Sequence, residues 1–212
     1  MLLVGRLTSP FSRRVAVSLW HLGFDFEHKA INAWSNLAEM RSYNPAGRVP
    51  ALVLDDGEVL FDNNAILDYL DFLVGPDQAL TPLEESARHN VMRIIVAAMA
   101  ALEKMVHSTY EVTMNPAEKL RQPWIDHSLS QMGEGLKWID SLRPSPWLMD
   151  AGMTQADVTT TIVARFAAER YPGSTFPNPD ALSDRVMELP AWQETIPPPE
   201  DAAIPVSLPN DQ

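Results

Sequence analysis

The chain has 212 residues, 46% of them hydrophobic and 21% charged, with a formal net charge of -12 and no cysteine. That composition suits a folded chain with room for one large core or two modest ones. It excludes disulfides and any protein-borne thiol nucleophile, so sulfur chemistry must come from a ligand; the acidic balance argues against nucleic acid, whose phosphates need clustered Lys and Arg.

Leu2 to Gly5 reads as a short buried strand. Thr8-Ser9-Pro10 then opens a helix, because a hydroxyl residue ahead of proline at the first turn is a start signal. Val15, Val17, Leu19 and Leu22, with Trp20, carry that helix to Gly23, and Phe24 to Ile31 fits a second strand. Residues 35–42 form a short helix or irregular turn, and Ala51 to Leu54 a third strand. Asp55-Asp56-Gly57 is a hairpin turn leading into a fourth strand at Val59-Leu60. Asp62 to Leu73 is a helix with Ile66, Leu67, Leu70 and Leu73 on one face. The predicted order is β-α-β-α-β-β-α, an α/β domain over 1–75.

Gly75-Pro76 through Thr81-Pro82 punctuates the chain, giving a linker at 76–83. Helical spacing then governs residues 84–195, an all-α domain. Residues 84–111 carry Val91, Ile94, Ile95, Ala98, Met99, Leu102 and Met105 at that spacing, and Asn115-Pro116 breaks the run. Residues 117–142 predict a helix with Trp124, Leu129, Met132, Leu136 and Ile139 inward, succeeded by helices at 154–169 and 180–188. Thr154 with Asp157 three residues on is a capping box, with Met153 able to staple onto Val158. The tail, 196–212, is proline-rich and expected to wrap loosely or stay disordered. No window reaches the roughly 18 consecutive apolar residues of a membrane span. Met1 leads straight into strand and turn residues rather than a basic start and long apolar run, so the cytoplasm is the expected address.

Charge is unevenly placed. Residues 1–48 carry six Lys/Arg (Arg6, Arg13, Arg14, Lys29, Arg41, Arg48) against three acids (Asp25, Glu27, Glu39), a local +3, and the remainder sums to -15. A locally basic site suits a small anionic ligand, although scattered surface charge gives the same counts.

Three segments carry candidate chemistry. Ser9-Pro10-Phe11-Ser12-Arg13-Arg14 spans the start of the first helix, where unsatisfied amides and the positive dipole end favour an anion such as a thiolate. In thioredoxin-like proteins this turn carries C-x-x-C; here both positions are serine, and Ser9 on its own could equally be only a helix cap. Asn44-Pro45-Ala46-Gly47-Arg48-Val49-Pro50 precedes the third strand. A proline there is usually cis in thioredoxin-like folds, which exposes the N–H and C=O of Val49 to an extended peptide added as a strand. Leu60 to Leu70 places an acid and amides, Asp62-Asn63-Asn64, at a helix start, where Asp62 can hold an ammonium and the amides a carboxylate; capping alone by Asp62 or Asn63 is the plainer reading.

In this order and spacing, the N-P-x-G-[KR]-V-P run, the D-D-G hairpin and a helix start of the [ED]-S-x-A-I kind, matched except at Asn63, resemble the soluble glutathione transferase family over about residues 1–195. The likeness is to a bacterial-type, serine-containing member. The resemblance implies a thioredoxin-like first domain on a mixed four-stranded sheet, then a helical-bundle domain. It implies an enzyme that binds reduced glutathione as co-substrate, activates its thiol and transfers it to a small apolar electrophile, without a metal, as a cytoplasmic homodimer. A catalytically silent binding or interaction protein of the same fold is the alternative. By the same resemblance Ser9 is the thiol donor, with Ser12 as the alternative. Glutathione would be held by Phe11, Arg48, Val49 and Pro50, with Asp62 and Asn63 at the glutamyl end, and the electrophile would meet Phe11, His107 and Tyr110. One departure stands inside the motif: the family usually has Ser after the acid, and this chain has Asn63, whose amide donates from a longer arm.

Overall fold

The computed structural model describes residues 1–198; of the proline-rich tail expected over 196–212, residues 199–212 lie outside the described residues. The chain divides into two compact units, one formed by Met1–Arg88 with the described residues from Met187 on, the other by His89–Val186.

The first unit is built on four short strands, β1 (Leu2–Val4), β2 (Glu27–Lys29), β3 (Ala51–Val53) and β4 (Val59–Phe61), in the order β2-β1-β3-β4. β1 pairs parallel with β2 and antiparallel with β3, with Leu3 opposite His28 on one side and Leu52 on the other. β3 and β4 form the hairpin read from Asp-Asp-Gly, with Leu52 opposite Leu60. This is the mixed four-stranded, thioredoxin-like sheet that the element order implied. Because side chains alternate along a strand, Leu3 and Leu52 enter one core with Val15, Ala16 and Leu19 of α1 (Pro10–His21) and Ile66, Leu67 and Leu70 of α3 (Asn63–Val74). Their neighbours Val4 and Ala51 enter the opposite core with Ile31 and with Met40 of α2 (Leu37–Tyr43).

The differences from expectation are local. β2 is only three residues long, and Phe24 and Phe26 ahead of it pack against the first core. Trp20 is 47% exposed and Leu73 44% exposed, so the buried faces of α1 and α3 are narrower than their apolar sequences. The last turn of α3 is tied to the segment after it: the buried Asp71 accepts from Leu80 N at 2.7 Å and Thr81 N at 3.0 Å.

The second unit is helical: most of α4 (Glu85–Met114), then α5 (Gln122–Asp140), α6 (Gln155–Arg170) and α7 (Pro177–Met187). α6 is buried along nearly its whole length, from Gln155 to Ala167. Val91, Ile94 and Ile95 of α4 pack with Ala156 at its start. Tyr171 donates its hydroxyl to Met105 O at 2.8 Å and sits 3.0 Å from the Thr109 hydroxyl, which satisfies three polar groups inside the apolar interior. The single helix expected over 117–142 is instead a 3-10 turn at Ala117–Lys119 and then α5, because Pro123 takes the first turn of a new helix. Its inward face otherwise matches the expected one, with Met132, Leu136 and Ile139 buried; only at its start does Ile125 turn inward in place of Trp124, which is 45% exposed. α8 (Pro190–Gln193), which no sequence signal announced, belongs to the first unit, where Arg13 of α1 lies 4.0 Å over the Trp192 ring.

Candidate functional site

Three loops of the first unit meet at the ends of β1, β3 and β4. In the β1–α1 turn, Ser9 occupies the N-cap position with extended backbone, yet its hydroxyl makes no capping bond. Its backbone carries the turn: Ser9 N donates to Arg6 O at 3.0 Å, and Arg13 N donates to Ser9 O at 2.9 Å. The hydroxyl is therefore not consumed by helix capping. Ser12 differs. It is fully buried, its hydroxyl has no hydrogen-bond partner, and it faces Gly5 so closely that a Cβ there would fall 2.5 Å from Ser12 Oγ and 2.9 Å from Val49 Cβ.

The second loop is shaped from within. Asn44, nearly fully buried, donates through Nδ2 to Arg48 O at 2.8 Å and accepts from Ala46 N at 2.9 Å, while Gly47 N reaches Asn44 O at 2.7 Å. One side chain thus fixes both ends of a four-residue turn. The Val49–Pro50 bond is cis. Among the described residues, the N–H and C=O of Val49 enter no hydrogen bond, so one donor and one acceptor stand ready beside β3.

The third element is the start of α3. Asp62 is the cap: its Oδ1 accepts from Asn64 N at 2.8 Å, and its φ of 70° places a non-glycine residue in the left-handed region. Such a conformation costs on the order of 1–3 kcal/mol and persists where surroundings over-determine it. Behind the cap lies Arg14, 2% exposed, whose Nη1 donates to Asn63 Oδ1 at 2.6 Å and to Asn64 Oδ1 at 2.8 Å. Burial pulls the Arg14 pKa down from 12.5 to about 9, against the carboxylates of Asp62 and Asp71, which raise it. At neutral pH the guanidinium keeps its charge.

Between these loops lies a cavity of about 190 Å³ lined by Phe11, Asn44, Pro45, Ala46, Arg48, Val49, Phe61, Asp62 and Asn63. It gathers five of the residues expected to hold a ligand: Phe11, Arg48, Val49, Asp62 and Asn63. Arg48 extends over the Phe11 ring at 5.9 Å. Pro50, Ser9 and Ser12 lie outside its lining. His107 and Tyr110 belong to α4 in the second unit, both exposed, with His107 Nε2 4.0 Å from Glu103. Sequence reasoning misses Gly5, Asn44 and Arg14 as shapers of the site. Gly5 has a weak signal as a glycine ending a strand. Arg14 has none, since Arg13-Arg14 reads as a pair of surface charges until the packing of α1 on α3 turns one inward. What the cavity offers is an extended backbone edge at Val49, an anionic group at Asp62, an amide at Asn63 and cationic surroundings, which together suit a small zwitterionic peptide.

Comparison with known proteins bears on the family. A family model described as Glutathione S-transferase, N-terminal domain, matches residues 8–72. The uncharacterized GST-like protein YibF of Escherichia coli K12 is 32% identical over 175 residues, 81% of this chain and 81% of its own. Maleylacetoacetate isomerase of Pseudomonas aeruginosa is 28% identical over 204 residues, 91% of this chain and 92% of its own. A glutathione transferase family member of Pseudomonas fluorescens Pf-5, solved with bound glutathione, is 25% identical and superposes with a TM-score of 0.80, covering 93% of this chain and 98% of that one. The chain belongs to the glutathione S-transferase family.

Proposed function

We propose that this protein is a glutathione transferase that binds reduced glutathione in the cavity of its first unit, activates the thiol and delivers it to a small apolar electrophile, working as a cytoplasmic homodimer. The observation that carries the reading is the unpaired backbone of Val49 standing in one cavity with Asp62 and Asn63. An added strand pairs with Val49 through the cysteinyl backbone, Asp62 takes the glutamyl ammonium, and Asn63 takes its carboxylate. Ser9 is the thiol's hydrogen-bond donor, a role its lack of a capping bond leaves open, and Ser12, enclosed against Gly5, is the less suited of the two. Phe11, with His107 and Tyr110, is assigned to the electrophile.

The energetics are adequate. A free thiol has a pKa of about 8.5, so only a few per cent is ionised at neutral pH. A hydrogen bond to a charged group is worth about 1.5–3 kcal/mol, and a pKa unit is about 1.4 kcal/mol. One hydroxyl donor with a helix N-terminus therefore lowers the thiol by roughly one to two units. Conjugation and thiol-assisted isomerisation both start from that thiolate, and the isomerase relative brings the second within the reaction class.

The alternative, a ligand-carrying member without turnover, draws on Ser9 lying outside the cavity lining. Turnover assays with glutathione and a generic aryl halide, and with an activated cis-alkene, separate the two. Product formation that disappears in Ser9→Ala is the expected result. Saturable glutathione binding without product from either class of electrophile would favour the silent carrier.

A further inference from the structure

The one departure from the family motif, Asn63, is joined to a buried cation. Arginine has five donors and no acceptor, so Arg14 Nη1 at 2.6 Å from Asn63 must meet the amide oxygen, and this fixes which way the planar carboxamide faces. The same nitrogen, at 2.8 Å from Asn64 Oδ1, orients the neighbouring amide. With Oδ1 turned to Arg14, the Asn63 NH₂ group points the other way. Among the described residues it has no acceptor, although Asn63 is 3% exposed and lines the cavity. That nitrogen is not enclosed, so it stands open to the cavity as a donor that an incoming carboxylate can meet.

We propose that Arg14 is a positioning residue for recognition of an α-carboxylate: it holds the carboxamide of Asn63 so that the NH₂ group faces the cavity as the carboxylate's donor, and the two residues work as one unit. The proposal rests on the glutathione reading above, which already gives Asn63 the glutamyl carboxylate; what it adds is that Arg14 sets the orientation of that donor. It also reverses a simple expectation from the motif. Restoring the family's serine with Asn63→Ser would weaken the site, because a hydroxyl on a shorter arm leaves Arg14 with one fewer amide acceptor and moves the donor back from the ligand.

The test is calorimetric titration of the full chain with two probes, reduced glutathione and its analogue lacking only the glutamyl α-carboxylate, 4-aminobutyryl-cysteinyl-glycine. Wild type is expected to prefer glutathione by about tenfold or more, the discrimination given by a hydrogen bond to a charged group. Arg14→Met should shrink that ratio towards one, and Arg14→Lys should restore part of it. Should Arg14→Met not fold, Asn63→Asp supplies the second arm. Its carboxylate still satisfies Arg14, so its melting temperature should hold, yet it has no donor and repels the ligand's carboxylate, so the preference should vanish. Retention of the full ratio in Arg14→Met or Asn63→Asp overturns the proposal while leaving the glutathione reading intact. Absence of glutathione binding by wild type overturns both, and the wild-type titration alone reveals it.

Discussion

Gly5 sits where two motifs touch. Its φ of 137° is left-handed territory, and a Cβ there would strike Ser12 Oγ and the Val49 side chain. Gly5→Ala is therefore expected to destabilise the first unit by about 1–3 kcal/mol, a fall in melting temperature of about 2–4 °C per kcal/mol, and to displace Val49 from the cavity. Thermal melts beside glutathione titrations check both effects, and an unaltered melt would mean that the β1–α1 turn yields more readily than its packing implies. At this scale the sequence is partly legible. Asp62, Asn63, Arg48 and Val49 stand in local patterns that have a mechanism of their own: a helix start and an X-Pro bond ahead of a strand. Arg14, Asn44 and the burial of Ser12 depend on neighbours far along the chain. Nothing local separates Arg14 from Arg13, although one is buried beneath Asn63 and the other lies over Trp192.

At the scale of elements, α6 shows what a strong local signal is worth. Its capping box is readable from Thr154 and Asp157, and the structure forms it: Asp157 accepts from Thr154 N at 2.7 Å, and Ala156 N donates to Thr154 Oγ1 at 3.2 Å. Asp157 also accepts from Leu148 N at 2.8 Å, a longer-range bond that the box pattern does not encode. Burial raises the Asp157 pKa above 3.8, outweighing the hydrogen bonds that lower it. Between 3.8 and the raised native value, the folded state holds a proton that the unfolded state has lost. This group's contribution to stability therefore falls as pH rises through that window. Asp157→Asn should cost about 1–3 kcal/mol through its lost acceptor. Wild type's margin over the variant should be widest below pH 3.8 and narrow as pH climbs. Denaturant unfolding across that range measures the margin, and a margin that widens with pH would contradict the assignment.

Asp71 plays the matching part at the end of α3. Asp71→Ala frees the buried N–H groups of Leu80 and Thr81, with an expected loss of about 1–3 kcal/mol in the same assay and faster amide exchange at residues 75–81. Elements lacking such local anchors are less legible. β2 is shorter than the segment expected to pair, with Phe24 and Phe26 packed against the first core ahead of it, and α5 starts afresh beside Pro123, where Ile125 rather than Trp124 turns inward.

For the molecule as a whole, the order of elements is the most legible feature, because turn residues punctuate the first half and helical spacing governs the second. The chemistry of the cavity is legible only as an ordered set of weak motifs, each of which has a plain structural use. Among the described residues no helix is long and apolar enough to cross a membrane. The local +3 of residues 1–48 is also not one patch: Arg14 is buried behind the start of α3, Lys29 pairs with Glu39 at 2.7 Å, and Arg48 lines the cavity. Only part of that charge is thus placed to face an anionic ligand, and a count of residues does not distinguish the parts.

The central claim is that this cavity holds glutathione with its thiol activated by Ser9. The most direct measurement is the pH titration of thiolate absorbance in the glutathione complex, for wild type and Ser9→Ala. The expected midpoint lies roughly one to two units below the free-thiol value of about 8.5 in wild type, returning most of the way in Ser9→Ala. A wild-type midpoint at the free-thiol value, or one equally lowered in both proteins, would contradict it.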